Sequence, residues 1–242
     1  MDFIILIYII LGLLPSSIWL SFYLKKDLHP EPKRMILKIF FWGALITIPV
    51  FFVQIGLTYL LGLINLGSLF EDIIYWFVII AFSEEYFKYL VIRVKIFNSP
   101  HLDEPLDAML YMVVSALGFA AVENILYLFS PAGSMSFDDT VNRAIFMALI
   151  RFVGATFLHT LCSALIGYYL AISFSKSKKK YLPFITGSFM AVFFHGLYNY
   201  SLMTSNSNFK IVVPIVIILV LATLVFSGFS KLKKMASICK IS

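Results

Sequence analysis

Charge is scarce in this 242-residue chain: Asp, Glu, Lys and Arg make up 13% of it, about half their share in an ordinary globular domain. Hydrophobic residues make up 61%, and so little polar material cannot coat a water-soluble surface. That excludes a soluble enzyme and a disordered tail. Cysteine is scarce as well; Cys162 and Cys239 stand far apart and offer neither a disulfide framework nor a zinc-ribbon spacing. No segment alternates apolar and polar residues as a barrel strand would. Gly-x-Ser-x-Gly is missing, and no Walker or Rossmann glycine pattern stands in a strand–helix context. Nucleic-acid binding is excluded too, because the formal net charge of +6 comes mostly from short basic clusters between apolar runs.

Those apolar runs are what the chain has in abundance. A bilayer core about 30 Å thick takes roughly 20 residues of helix. Seven stretches qualify, at about 3–24, 36–61, 72–94, 108–129, 144–174, 182–202 and 211–230. The expected fold class is all-α: a polytopic membrane helical bundle forming one integral membrane domain over residues 1–242. Any catalytic core would lie in helices of about 72–202. Gly43 and Pro49 predict a kink in the second span. Pro100 and Pro105 break the third connection, Pro131 and Gly133 the fourth, while Pro183 and Pro214 sit near helix starts.

Basic residues set the orientation. Lys25, Lys26, Lys33 and Arg34 fall in the first connection, Arg93 and Lys95 in the third, and Lys176, Lys178, Lys179 and Lys180 in the fifth. Lys231, Lys233, Lys234 and Lys240 follow the last span, whereas the alternate connections hold only Arg143 and Lys210. The positive-inside rule then places the N-terminus outside and the C-terminus in the cytoplasm. The first span is too long for a signal-peptide core and carries its charges after it, so it should stay as an anchor.

Ionisable groups deep inside such spans are costly and mark function by default. Four groups stand out. Glu84, Glu85 and Lys88 share the middle of the third span, with Lys88 at i+4 from one carboxylate and i+3 from the other. Two adjacent carboxylates in a low dielectric cannot both ionise cheaply. One should pair with the lysine and the other stay available for proton transfer. A packing role would need one carboxylate, not two. Glu123 and Asn124 follow a run of small residues from Gly118 in the fourth span, Asn124 reading as a substrate-binding amide or as interhelical glue. His159 lies in the fifth span with Cys162 and Ser163 on its face, and His195 in the sixth with Asn199 one turn on. Similar depths predict one wet cavity just outside the bilayer centre, bringing together Glu84, Glu85, Lys88, Glu123, Asn124, His159, His195 and Asn199.

Such a set suits activation of water for attack on a carbonyl. A glutamate of the first pair would take the proton, and His159, His195 and Asn199 could stabilise the oxyanion. In a metal version His159, His195 and Glu123 hold Zn²⁺ and Glu84 or Glu85 is the base. No His-Glu-x-x-His run supports it. A Cys162–His159 dyad reads poorly because no third orienting group accompanies it, and Ser163 reads as a small interface residue. An ion- or proton-coupled transporter would also use buried Glu, Lys and His, but no internal repeat accompanies them. A silent membrane scaffold or immunity-type protein is the third possibility.

The run Glu84-Glu85-x-x-Lys88, Asp103-Glu104-Pro105-x-Asp107, Gly118-Phe119-x-x-x-Glu123-Asn124, His159 and His195-x-x-x-Asn199 resembles the PrsW family of bacterial intramembrane proteases. That family is distantly similar to CAAX prenyl endopeptidases and bacteriocin-immunity-type membrane proteins. The resemblance covers about residues 84–199. It implies site-1 cleavage of a single-pass anti-sigma factor on its extracytoplasmic side, with Glu84 and Glu85 as the paired glutamates and Glu123, His159 and His195 completing the centre. It leaves the choice between metal and glutamate–water chemistry open. His101, Asp103, Glu104 and Asp107 read as structural or regulatory, since acidic residues before a helix start are favourable there and they lie too far from the midplane to join the catalytic set.

Overall fold

The computed structural model describes residues 2–27, 29–64, 66–130, 136–175, 181–204 and 208–235. Pro131, Gly133, Lys176, Lys178, Lys179, Lys180, Cys239 and Lys240 lie outside the described residues. In chain order the elements are α1 (Asp2–Leu24), α2 (Lys33–Leu45), α3 (Thr47–Gly62), α4 (Ser68–Ile73), π1 (Ile74–Phe82), α5 (Ser83–Lys95) and α6 (Pro105–Leu128). They continue as α7 (Phe137–Val153), α8 (Ala155–Ser175), α9 (Tyr181–Thr204) and α10 (Phe209–Leu232). Among the described residues there is no strand. Five stretches are long and apolar enough to cross a membrane: Phe3–Leu24, Lys33–Gly62, Pro105–Leu128, Phe137–Phe174 and Phe209–Leu232. Their outward faces carry Phe41, Phe52, Leu149 and Leu219, all well exposed, which is what lipid as a solvent permits.

Three of the expected spans are not simple rods. The second breaks at Ile46, between α2 and α3. Pro49 has no N–H to offer the carbonyl four residues back, and the Thr47 hydroxyl donates to the Ala44 carbonyl at 2.7 Å. The third passes from α4 through nine residues of π-helix into α5, so a wide turn leads directly into Ser83, Glu84 and Glu85. The Ser83 hydroxyl caps that turn by donating to the carbonyls of Ile79 and Ile80. The fifth, expected as one helix over 144–174, is two. α7 ends at Gly154, whose φ of −98° and ψ of −99° leave the helix. The Phe152 carbonyl released there accepts from the Trp19 indole at 2.9 Å.

The centre of the bundle is α6, buried without interruption from Pro105 to Ala121. A helix apolar on every side belongs in the middle, and α1, α2, α5 and α8 pack around it. Two reciprocal glycines bring α2 against it: Gly43 lies on the Ser115 backbone and Gly118 on the backbone of Phe40 and Ala44. A Cβ at either position would strike main chain, so the crossing is set by the two missing side chains.

At the N-terminal end of α6, Asp107 accepts from the backbone N–H groups of Asp103 at 3.1 Å and Glu104 at 2.6 Å, closing a capping box. The preceding loops are pinned to the same place. Tyr111 donates to Glu31 at 2.6 Å, His101 stands 3.8 Å from Glu31, and His29 stands 2.6 Å from Glu104. Burial raises the Glu31 carboxyl above its ordinary value, against the lowering effects of the Tyr111 hydrogen bond and the His101 imidazole.

Two outcomes follow for stability. Gly118→Val should lower folding stability in detergent by about 1–3 kcal/mol through overpacking, read from thermal unfolding; no shift would mean that α2 and α6 can separate freely. Because the folded state holds the Glu31 proton more tightly than the unfolded one, the protonated carboxyl's contribution is present at low pH and lost as pH rises through the folded pKa. Glu31→Gln should therefore melt at or above wild type at pH 8 and lose that advantage by pH 4. A variant that gains ground as pH falls would reverse this sign.

Candidate active site

The residues singled out in four spans converge. From α5, Glu84, Glu85 and Lys88 point inward; Glu123 and Asn124 come from α6, His159 from α8 and His195 from α9, and all but Glu123 are buried. Within this group the three carboxylates have different fates.

Glu85 is fully committed. Its Oε1 accepts from Lys88 Nζ at 2.7 Å and lies 3.0 Å from His195 Nδ1, while its Oε2 accepts from the Ser163 hydroxyl at 2.7 Å. Glu123 is committed too: one oxygen accepts from Arg151 Nη2 at 2.7 Å and lies 2.8 Å from His159 Nε2. Glu84 is the exception. Its Oε1 accepts from Gln54 at 3.3 Å, and its Oε2 is buried with no hydrogen-bond partner among the described residues. Around that bare oxygen stand His195 Nε2 at 3.7 Å, His159 Nδ1 at 3.8 Å and Lys88 Nζ at 3.6 Å.

The carboxylates also assign the imidazole tautomers. An ionised carboxylate only accepts, so His195 carries its proton on Nδ1 toward Glu85 and His159 carries its proton on Nε2 toward Glu123. In its neutral form each ring then turns an unprotonated nitrogen toward Glu84, and the two rings meet edge to face with centroids 5.0 Å apart. Lys88 lies 2.8 Å from the bare nitrogen of His159 and 4.5 Å from the centre of the Phe119 ring.

Glu84, Glu123, His159, His195 and Asn199 line a cavity of about 590 Å³. Phe51, Leu126 and Ile150 line it as well and are exposed on the outside of the bundle, so the cavity opens toward the hydrocarbon. Glu85, Lys88 and Asn124 do not line it. Lys88 and Glu85 sit behind Glu84. The Asn124 amide, expected to meet substrate, is used inside the protein: it accepts from Arg151 Nε at 2.6 Å and donates to Thr156 at 3.0 Å and the Gly12 carbonyl at 3.3 Å.

Three contributors escaped the reading of the sequence. Arg151 is a buried cation within the expected fifth span, eight residues before His159, and the rule that drew attention to the other intramembrane charges applied equally to it. Ser163, read as a small interface residue, is a hydrogen-bond donor to Glu85. Gln54 lies on α3 with no ionisable neighbour along the chain to mark it.

A divalent metal fits the donor set in a particular way. Tetrahedral Zn²⁺ bonds N and O at about 2.0–2.2 Å, which puts its ligands roughly 3.4 Å from one another. Glu84 Oε2 stands within a few tenths of an ångström of that spacing from both bare imidazole nitrogens, and its lack of any partner is what a ligand atom requires. Glu123, expected as the third ligand, is held back by Arg151 and stands behind His159, where Glu85 stands behind His195. Carboxylates in those positions orient ligating imidazoles from the outer shell.

Comparison with known proteins identifies the family. A family model described as PrsW family intramembrane metalloprotease matches residues 31–226. Protease PrsW of Oceanobacillus iheyensis is 32% identical over 211 residues, covering 86% of this chain and 88% of that protein. Protease PrsW of Bacillus subtilis is 30% identical over 201 residues, 81% of this chain and 83% of that protein. The Clostridioides difficile protein of the same name is 28% identical over 219 residues, 88% and 85% of the two chains. No solved structure matches. With buried carboxylates and imidazoles gathered on membrane-length helices, and a family match running over most of its length, this multi-pass membrane protein belongs to the PrsW family of intramembrane metalloproteases.

Proposed function

We propose that the protein hydrolyses a peptide bond in a single-pass membrane protein, near the extracytoplasmic side, at Glu84. The observation that carries this reading is the bare, buried Oε2 of Glu84 facing two unprotonated imidazole nitrogens in a cavity open to the hydrocarbon. The substrate class implied by the motif resemblance is an anti-sigma factor, cleaved at site 1. The chain acts as one integral membrane domain crossing seven times, N-terminus outside and C-terminus cytoplasmic. The basic connections support that orientation, which puts the cavity, on the side where α6 and α9 finish, in the outer half of the bilayer.

Of the three carboxylates, Glu84 has the buried oxygen without a hydrogen-bond partner among the described residues, so the proton-accepting role in the metal-free reading falls to it. It takes a proton from water as the water oxygen bonds to the scissile carbonyl carbon. It returns that proton to the amine nitrogen as the C–N bond breaks. Asn199, on the same face of α9 one turn beyond His195, is the neutral donor available to the developing oxyanion. Lys88 and Ser163 hold Glu85, and Glu85 holds His195, so the second glutamate acts by positioning. If Zn²⁺ is bound, Glu84, His159 and His195 would hold it, and it would supply Lewis-acid polarisation of the carbonyl and of the attacking water; Glu84 would then be a ligand, and Glu123, the other carboxylate lining the cavity, would take the proton in its place.

The test is cleavage of a tagged single-pass membrane protein by the purified chain in detergent. Glu84→Gln and His195→Ala should lower turnover at least a hundredfold, Glu85→Gln should lower it as well, and a chelator should stop wild-type cleavage until zinc is restored. Cleavage persisting in all three variants would reject the assignment. In cells, the active protein should deplete one anti-sigma factor from the membrane proteome relative to Glu84→Gln. Depletion of a different membrane protein would move the substrate class.

A further inference from the structure

Arg151 is 7% exposed, inside the bundle at the last turn of α7, and it is the one buried cation here that no paired-glutamate motif accounts for. Its guanidinium does three things at once. Nη2 donates to Glu123 at 2.7 Å, Nε donates to Asn124 at 2.6 Å, and the group lies 3.9 Å from the centre of the Tyr127 ring. Asn124 is itself anchored to Thr156 on α8 and to the α1 backbone at Gly12. The arginine thus ties Glu123 to a point anchored on two further helices, α8 and α1.

The far end of this chain of contacts is His159. Glu123 presents to it the same oxygen that Arg151 holds, 2.8 Å from Nε2. Hydrogen-bonding at one ring nitrogen decides where the proton sits and leaves the other nitrogen bare. That other nitrogen is Nδ1, which accepts from Lys88 at 2.8 Å, so that both contacts favour one tautomer, and which stands 3.8 Å from Oε2 of Glu84. Without Arg151, Glu123 would be a carboxylate on the wall of a cavity with no cation beside it, free to turn away from His159. The break at Gly154 separates the helix bearing Arg151 from the helix bearing His159. The two residues therefore approach Glu123 from separate helices.

We propose that Arg151 is a positioning residue of the centre: by gripping Glu123 and Asn124 together it fixes the tautomer of His159, and so aims Nδ1 at Glu84 and His195. The role rests on the hydrolase reading for its consequence in catalysis but not for the tautomer itself. An arginine is needed because its planar fork donates in two fixed directions, which a lysine cannot do.

Two measurements separate the two levels. In metal-free protein labelled with ¹⁵N-histidine, the His159 signals of wild type should show a protonated Nε2 and a bare Nδ1. In Arg151→Met that signature should give way to a mixture of tautomers, while the His195 signals keep their protonated Nδ1. This arm uses no substrate, so it stands or falls apart from peptide hydrolysis. In the cleavage assay Arg151→Met should lose about 10–100-fold in kcat, the range for outer-shell partners of a ligand histidine, with KM within about threefold. Arg151→Lys, which keeps a cation for Glu123 but cannot hold Asn124 as well, should show a partial loss of the His159 signature and lose about three- to tenfold in kcat. It also carries the test if Arg151→Met does not fold. An unchanged His159 signature in Arg151→Met, a rise in KM with kcat unchanged, or wild-type kcat in Arg151→Lys would each overturn the proposal.

Discussion

A carboxylate in hydrocarbon must be neutralised or hydrogen-bonded, and that constraint organises this bundle. Three glutamates lie at its centre with only two cations to answer them. Lys88 is spent on Glu85, with Ser163 and His195 completing its shell, and Arg151 is spent on Glu123, with His159 completing its own. Glu84 is left with an amide at one oxygen and, among the described residues, no hydrogen bond at the other. Removing one partner of a buried ion pair typically costs 3–5 kcal/mol, so the two satisfied pairs are rigid fixtures. The unsatisfied oxygen between them is the position the proposed hydrolysis uses.

The rest of the fold serves to keep those groups in register. α6 is packed on all sides, and the Gly43–Gly118 crossing lets α2 approach it at backbone contact. The wide π-helical turn delivers Glu84 and Glu85 from the third rod; such turns inside helices occur most often at functional sites. The bend at Gly154 frees the end of α7 to bring Arg151 in beside Glu123, and the carbonyl it releases is recovered by Trp19. Two of the three departures from a straight helix therefore coincide with polar residues gathered at the site.

How much of this could be read from the chain depends on the kind of signal. Glu84, Glu85, Lys88, Glu123, His159 and His195 stood out because an ionisable residue in an apolar run is conspicuous, and the structure gathers them. The kink near Pro49 was legible because proline removes a known hydrogen bond. The π-helix was not: Ile74–Phe82 is apolar throughout, and an unbroken apolar stretch has no periodicity to report its hydrogen-bond register. The division of labour among the carboxylates was hidden too. Spacing along α5 allows Lys88 to pair with either glutamate, and only Ser163 and His195, from other helices, decide in favour of Glu85. Glu123 looked like a metal ligand while Arg151 went unremarked; with the arginine in place, the third donor facing both imidazoles is Glu84.

That exchange of roles is the part of the account most directly open to measurement. Zinc titration of the purified chain should give one tightly held ion in wild type. Glu84→Gln should abolish its binding, and Glu123→Gln should weaken it only by about 10–100-fold, as for an outer-shell carboxylate. Zinc held normally by Glu84→Gln but lost in Glu123→Gln would contradict the arrangement described.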